Sequence, residues 1–349
     1  MVKDVYDSIL FQFCRTGGCA AKLNPVDLNR IIGTLSIQQD PNLLTDFSGN
    51  EDAAVYKLTS DTAIVATVDV IAPPVAEPDI FGQIAAANAL SDVYAMGSRP
   101  IICLSIMGIP EALSCSAAEG ILAGANRKVQ EAAALLVGGH TVRNDQLLFG
   151  LAAIGIVRPD EIWRNSDAKE GDVLVLTKPI GMGVLFSALR RGRLRTEDIM
   201  EAVQCATTLN KTAAELLSLF SIHAATDITG FGLLGHALEM AKASKVTYRI
   251  QCRTIPIMKG AIEMYEDGIG TTITAENIAY VREHLLLPQG IPHSTLQVLF
   301  DPQTNGGLLV ALPVEQAPQV IQALHAAGFD RAEIIGTVTQ FDRKNLILE

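Results

Sequence analysis

The sequence has little of what membrane proteins and nucleic-acid-binding proteins need. No stretch of about 18 residues is free of charged or polar breaks, so no membrane-spanning segment is expected. Lys and Arg total 27 against 38 Asp and Glu, which gives a net charge of -11, and the basic residues do not cluster. Because binding along a phosphate backbone needs clustered cations, we expect no nucleic-acid partner.

Three other features are absent. The six cysteines form no CxxC pair and have no zinc-finger spacing. The N-terminal MVKDVYDSIL shows no positive region followed by an apolar core, so no signal peptide is expected and the cytoplasm is the expected compartment. No GxxxxGK[ST] motif occurs, so an ATP site in this chain would not be a P-loop.

What the sequence does contain is a long alternation of apolar strands and helices. The pattern predicts strands at 61–70, 102–108 and 147–157 and helices at 81–97 and 116–134, and a second cycle starts at VLVLTKP (173–179). LQVLF (296–300) is also predicted as a strand. With 349 residues, the chain fits an α/β protein of two domains, with the boundary between about 157 and 171. We assign 1–48 to a mobile N-terminal arm, 49–160 to an N-terminal domain and 161–349 to a C-terminal α/β domain.

The stretch CRTGGCAAKLNP (14–25) places Cys19 directly after two glycines and three residues before Lys22. Paired glycines allow backbone geometries that bring a residue close to a ligand, and a nearby cation favours the reactive thiolate. A flexible arm with incidental residues would look the same. The motif alone leaves both interpretations open.

Several acids interrupt apolar segments. Asp69 ends the strand ATVDV, Asp92 lies in an Ala-rich helix, Asp52 follows Glu51 before a further apolar segment, and Asp227 precedes a helix. A buried carboxylate needs a partner, and carboxylates that meet in a cleft suit Mg²⁺ carrying a nucleotide's phosphates. Asp227 could instead cap a helix, and Glu51 with Asp52 could close a turn.

Two glycine motifs are ambiguous. GFGLLG (230–235) matches GxGxxG, but a poor strand precedes it and no ribose-binding acid follows, so a dinucleotide fold is disfavoured. GGHT (138–141) looks like a tight strand-to-loop turn that either presents amides to phosphate or is only a turn.

Taken together, the motifs resemble those of the selenophosphate synthetase (selenide, water dikinase) family. The stretches that carry the resemblance stand in family order along nearly the whole chain: GGCAAKLNP, EDAAVY, ATVDV, FGQIAAANALSDVYAMGSRP, GGHT, RNSDAKEGDVLVLTKPIGMGVL, DITGFGLLGH and DPQTNGGLL. The wider superfamily includes aminoimidazole ribonucleotide synthetase and thiamine monophosphate kinase. Its members are homodimers of two α/β domains in which the N-terminal sheets of two subunits form a barrel.

The resemblance implies a phosphotransferase that converts ATP, selenide and water into selenophosphate, phosphate and AMP with Mg²⁺. It places Cys19 and Lys22 at the catalytic positions. It assigns nucleotide contacts to Lys22, Gly49, Asn50, Glu51, Asp69, Asp92, Gly139, His140 and Thr141. The implied metal ligands are Asp52, Asp69, Asp92 and Asp227. Whether the chain also uses a monovalent cation or a selenium-delivery protein stays open.

The chain departs from the family at three positions. Ala21 replaces a common second cysteine, Glu51 replaces an aspartate, and Glu77 stands alone where relatives often have an acidic pair. Two alternatives therefore stay open: an ATP-dependent kinase or ligase of the superfamily with another acceptor, and a non-catalytic paralogue that acts as a binding subunit. Retention of Cys19, Lys22 and the four aspartates favours the enzyme.

Overall fold

A computed structural model describes residues 10–14, 17–19, 25–35, 40–46 and 49–349 of the chain. Lys22 and Ala21 lie outside these residues. Within the described residues, no helix is both long and apolar enough to cross a membrane. Two β-sheets with their helices make a mixed α/β structure.

The first sheet has six strands among the described residues, in the order β1-β2-β3-β6-β4-β5. The strands are β1 Leu43–Thr45, β2 Ala54–Lys57, β3 Ala63–Ile71, β4 Arg99–Ile109, β5 Leu135–Arg143 and β6 Leu148–Val157. The helices of this half are α1 Pro25–Ile32, α2 Pro78–Ala95 and α3 Cys115–Glu131. The predicted strands at 61–70, 102–108 and 147–157 and both predicted helices are confirmed. No closed barrel forms within the described chain.

Helix α2 is buried along almost its whole length. It packs on one face of the first sheet, against β3 and β6, and it also contacts β8 (Ala224–Asp227) and α5 (Met200–Thr207) of the second half. Its Ala-rich sequence fits this position because small side chains let neighbouring elements approach from several sides. Any polar side chain on α2 is therefore held in a low-dielectric interior, where it needs a partner.

The second sheet has seven strands among the described residues, in the order β10-β13-β9-β12-β7-β11-β8. Besides β8, its strands are β7 Asp172–Leu176, β9 Val246–Ile250, β10 Leu285–Leu286, β11 Leu308–Pro313, β12 Glu333–Gln340 and β13 Leu346–Leu348. Besides α5, its helices are α4 Met182–Arg190, α6 Lys211–Leu217, α7 Gly232–Ala243, α8 Ala261–Glu266, α9 Thr274–Val281, α10 His293–Leu299 and α11 Ala317–Ala326. Short 3-10 helices occur at Phe11–Phe13, Thr196–Ile199 and Arg282–His284.

Two local predictions are wrong. LQVLF forms most of α10 instead of a strand, because a five-residue apolar run fits the buried side of a short helix equally well. GGHT lies inside the edge strand β5 and is not a turn. A side chain at Gly139 would collide with Ser105 of β4, so this glycine allows close strand pairing.

The GFGLLG segment does not belong to a dinucleotide-binding unit. β8 lies at the edge of its sheet and pairs antiparallel with β11, and three strands separate it from β9, the next strand in sequence. A Rossmann unit joins neighbouring strands of a mostly parallel sheet, whereas the strands between β8 and β9 run antiparallel to their neighbours. The glycines therefore begin α7 without forming a dinucleotide-binding βαβ unit.

Candidate active site

Three of the four predicted acids meet where the two halves of the chain contact each other. Asp92 lies on α2, Asp52 precedes β2, and Asp227 ends β8. The Thr226 hydroxyl donates a hydrogen bond of 2.9 Å to Asp52 Oδ1, which ties the loop before β2 to β8 across 174 residues of sequence. Thr67 of β3 donates from its hydroxyl to Asp92 Oδ2. The cluster therefore depends on both halves of the fold.

Asp52 has strongly perturbed electrostatics in this cluster. Burial raises its pKa well above the ordinary value of 3.8, and the neighbouring carboxylates of Asp227 and Asp92 raise it further. The hydrogen bond from Thr226 offsets only part of this effect. Asp52 Oδ2 is buried and has no hydrogen-bond partner among the described residues. This site favours a positive charge beside Asp52, because a cation would both relieve the repulsion and fill the missing contact.

The residues present fit a hydrated magnesium ion better than a closed protein cage. In the described part of the chain, no three His, Cys, Asp or Glu side chains lie close enough together to hold a metal ion by themselves. Mg²⁺ bound with a nucleotide commonly keeps several waters and uses one or two carboxylates plus phosphate oxygens. The unfilled Oδ2 of Asp52, with two further carboxylates nearby, matches that requirement.

Cys19 is seated beside α2 and the DPQTNGG loop. Its side chain is buried, with 1% exposure, and its backbone N–H donates to Thr304 Oγ1 at 3.2 Å. Gly18 precedes it with φ of +59° and donates its N–H to the Ala72 carbonyl at 2.9 Å. An added Cβ at Gly18 would collide with Thr304 Oγ1. The glycine therefore gives both the left-handed backbone and the room that this position requires.

Asn88 connects Cys19 with Asp69, the fourth predicted acid. Its Oδ1 accepts from the Cys19 thiol at 3.5 Å and from the backbone N–H of Asn305 at 2.8 Å. Its Nδ2 donates to Asp69 Oδ2. Asp69 is 8% exposed and lies on β3. A continuous buried contact therefore runs from the sulfur to a carboxylate of the predicted nucleotide site.

Lys178 holds the loop that carries Thr304 and Asn305. Its Nζ donates to the carbonyl oxygens of Cys205, Thr208 and Asn305 at 3.2, 2.7 and 3.0 Å. Burial lowers the pKa of Lys178 to about 7. The loop that contacts Cys19 is thus held in place by hydrogen bonds from a buried amine.

The segment 49–51 is fixed by Asn165, which lies in the connection between β6 and β7. The Asn165 side chain donates to the carbonyl oxygens of Gly49 and Asn50 at 3.3 and 2.7 Å. The backbone N–H of Asn165 donates to Glu51 Oε2 at 3.0 Å. Burial raises the pKa of Glu51, and this hydrogen bond offsets part of the rise. The longer carboxylate at this position therefore makes a contact of its own with the segment that links β6 to β7.

Gly139, His140 and Thr141 lie on the exposed edge strand β5. Asp69, Leu151, Ser105 and Gly139 form one row across β3, β6, β4 and β5. With three steps of about 4.8 Å, Gly139 is roughly 14 Å from Asp69 along this row. His140 pairs with Ile106 and projects to the opposite face. The three residues are therefore not brought together with the acids within this chain, and their nucleotide contacts stay a prediction.

Sequence reasoning missed Asn88, Thr304, Asn305, Lys178 and Asn165. Only Asn88 gave a clear signal, because it stands four residues before Asp92 in a nearly apolar helix, where a polar side chain needs a partner. The other four lie in loops or follow a strand, and their partners are more than 20 residues away in sequence.

Comparisons with known proteins identify the family of the chain. The family described as AIR synthase related protein matches over both of its parts: the N-terminal domain over residues 50–157 and the C-terminal domain over residues 169–349. The selenide, water dikinase of Myxococcus xanthus (strain DK1622) is 43% identical over 94% of each chain. The selenide, water dikinase of Clostridium botulinum (strain Eklund 17B / Type B) is 40% identical over the full length of both chains.

The chain belongs to the selenide, water dikinase family. The resemblance stated from its sequence motifs is thereby confirmed. A solved structure of the hydrogenase maturation protein HypE in complex with ATP has a TM-score of 0.61, with 20% identity over 90% of this chain and 86% of that one. At that identity the likeness supports the fold alone, which is the two-domain α/β fold of AIR synthase related proteins.

In this selenide, water dikinase family member, Gly18→Ala should reduce turnover about tenfold or more. An alanine there must take a left-handed backbone, which costs about 1–2 kcal/mol, and its Cβ collides with Thr304, so Cys19 is displaced from Asn88. Steady-state rates and melting temperature would be measured. Gly268→Ala is the matched control, since Gly268 has φ of +75° and open space around its Cβ position. Equal losses in the two variants would show that backbone strain alone explains the effect.

Proposed function

We propose that the chain synthesises selenophosphate from selenide, ATP and water, and releases AMP and phosphate. Family membership along the full length supports this reaction. The structural observation that carries it is the contact from Cys19 through Asn88 to Asp69, because it joins a buried sulfur to the acidic site that suits a metal–nucleotide complex.

In this proposal, Asp52, Asp69, Asp92 and Asp227 hold Mg²⁺ and the nucleotide. When bound, Mg²⁺ neutralises phosphate charge and lets several carboxylates approach a polyanion. The chain's own contribution is orientation: Thr226 fixes Asp52, Thr67 fixes Asp92 and Asn88 fixes Asp69. Gly49, Asn50 and Glu51 contribute nucleotide contacts from a segment held by Asn165.

In this proposal, Cys19 acts on the selenium substrate and Lys22 acts on the phosphates of ATP. The structure describes Cys19 in a docked position, buried between α2 and the DPQTNGG loop. Burial of the sulfur limits the water that competes with selenide at the transferred phosphoryl group. Lys22 neutralises charge that develops there. We also propose the division into an arm (1–48), an N-terminal domain (49–160) and a C-terminal domain (161–349), and a cytoplasmic location.

Phosphorus NMR of ATP incubated anaerobically with selenide tests the function. We expect a selenophosphate signal together with AMP and phosphate, and loss of all three when a chelator removes divalent metal. ATP consumption that does not respond to selenide would instead support a superfamily kinase with another acceptor. No ATP consumption at all would support a non-catalytic binding subunit.

We propose that the chain forms a homodimer through the face of the first sheet that is opposite α2. Thr67 and Asp69 point toward α2, so the alternate residue Val68 points away from it. Val68, Leu104, Leu135 and Val142 are 61%, 38%, 65% and 52% exposed on that outer face. A contiguous exposed apolar sheet face marks an interaction surface, and pairing of two such faces would give the barrel implied by the resemblance.

Leu104→Glu should convert the dimer to a monomer. A charge at the centre of this apolar face would be buried unpaired in the dimer, whereas it is solvated in the monomer. Sedimentation velocity measures the change directly. Leu219→Glu is the matched control, because Leu219 is 76% exposed but follows α6, in the second half of the chain. A wild-type chain that sediments as a monomer, or a dimer that survives Leu104→Glu, would contradict the proposed face.

A further inference from the structure

A cavity of about 230 Å³ opens next to Cys19, and none of the four predicted acids lines it. Its lining includes Cys19, Arg190, Arg191, Ser187, Thr271 and Thr304. Among the described residues that line it there is no Asp or Glu. A water molecule occupies about 30 Å³ of liquid, so the cavity has room for a small anion with several waters.

Arg190 gives this cavity its charge. Its guanidinium donates to the sulfur and carbonyl oxygen of Cys14, both at 2.9 Å, and to the Pro73 carbonyl at 3.3 Å, and it lies over the Phe11 ring at 4.9 Å. No carboxylate in the described chain pairs with it. A guanidinium with only neutral partners keeps its full charge to attract an anion.

The two sides of Cys19 therefore have opposite electrostatics. One side leads through Asn88 to Asp69 and the acidic cluster, which repels any anion that arrives without a cation. The other side opens on a wall with two arginines and several hydroxyl groups. A small anion that must reach the Cys19 sulfur is favoured only from the arginine side.

We propose that this cavity binds the selenium substrate as the hydroselenide anion, with Arg190 as its binding residue. This inference rests on the proposed function, because it names where one of the substrates enters. Selenide at neutral pH is a small, soft monoanion, which suits a site with one unneutralised guanidinium next to a thiol. ATP reaches the opposite, acidic side with its metal, so the two anionic substrates approach Cys19 separately.

Steady-state kinetics with Arg190→Gln would test the assignment. The KM for selenide should rise about tenfold, the size of a lost charged hydrogen bond, while the KM for ATP stays unchanged. Arg190→Lys, which keeps the charge, should recover most of the loss. Arg193→Gln is the matched control, since Arg193 is exposed just after the same helix and does not line the cavity. An unchanged KM for selenide in Arg190→Gln would overturn the proposal.

A second readout separates anion binding from simple loosening of the segment that Arg190 holds. Alkylation of Cys19 by iodoacetate and by iodoacetamide would be followed by peptide mass spectrometry. An anion site predicts that Arg190→Gln lowers the iodoacetate to iodoacetamide rate ratio several-fold, whereas loosening alone speeds both reagents equally and would contradict it. This ratio needs no selenophosphate synthesis, so it tests the anion site even if the phosphorus NMR experiment rejects the proposed function.

Discussion

Asp52→Asn should abolish ATP turnover and, in the absence of metal, raise the melting temperature. The native environment raises the pKa of Asp52 by burial and by the charges of Asp227 and Asp92. The native state therefore binds more protons than the unfolded state above pH 3.8, and the free energy of unfolding falls as pH rises through the native pKa. Asparagine keeps the shape, accepts from Thr226 and removes the like charge.

Turnover should fall by about a hundredfold or more, because the variant loses a carboxylate that we propose holds Mg²⁺ and the nucleotide. Thermal unfolding with and without Mg-ATP measures the effect on ligand binding. Added Mg-ATP should raise the melting temperature of the wild type, and it should raise that of the variant only a little. Asp267→Asn is the control, since Asp267 is exposed at the end of α8. A variant that turns over ATP normally, or that melts below the wild type without metal, would contradict this account.

The sequence could locate the acids but not the way they interact. Asp92 and Asp69 were detectable because each interrupts an apolar element, where a carboxylate is costly. The interaction between Asp52 and Asp227 could not be detected from the sequence. It brings a loop before β2 close to the end of β8, so it requires both sheets to be in place. A local sequence pattern shows that a charged residue lies in an apolar element, where its burial is unfavourable. It does not show which residues of distant elements become its partners, because that depends on tertiary packing.

The same limit explains the errors in the fold. The long elements α2, β3 and β6 were predicted from the length and composition of their apolar runs, whereas LQVLF and GGHT are short. LQVLF is buried on one side of α10, and no periodicity in five residues separates that from a strand. The glycines of GGHT suggested a turn, but they serve the close pairing of β5 with β4. The secondary structure of a short segment depends more on the elements that pack against it than on its own composition.

Cys19→Ser should stop selenophosphate formation while Mg-ATP binding survives. The serine hydroxyl can donate to Asn88, and the backbone N–H of residue 19 still donates to Thr304, so the position of the residue is preserved. The hydroxyl is neither soft nor easily ionised. The acids that suit Mg²⁺ are positioned by Thr226, Thr67 and Asn88, none of which changes. Selenophosphate formation would be followed by phosphorus NMR and nucleotide binding by calorimetry, on the same preparation.

Two other cysteines make this experiment specific. Cys115→Ser should be neutral, because Cys115 is exposed at the start of α3 and does not line the cavity next to Cys19. Cys14→Ser alters a sulfur that contacts Arg190 but not Asn88, so it should affect the selenide KM more than the maximal rate. If Cys19→Ser makes selenophosphate at the normal rate, the sulfur has no chemical role. The contact from residue 19 through Asn88 to Asp69 would then serve only to dock the N-terminal segment, because a serine oxygen can make it equally well.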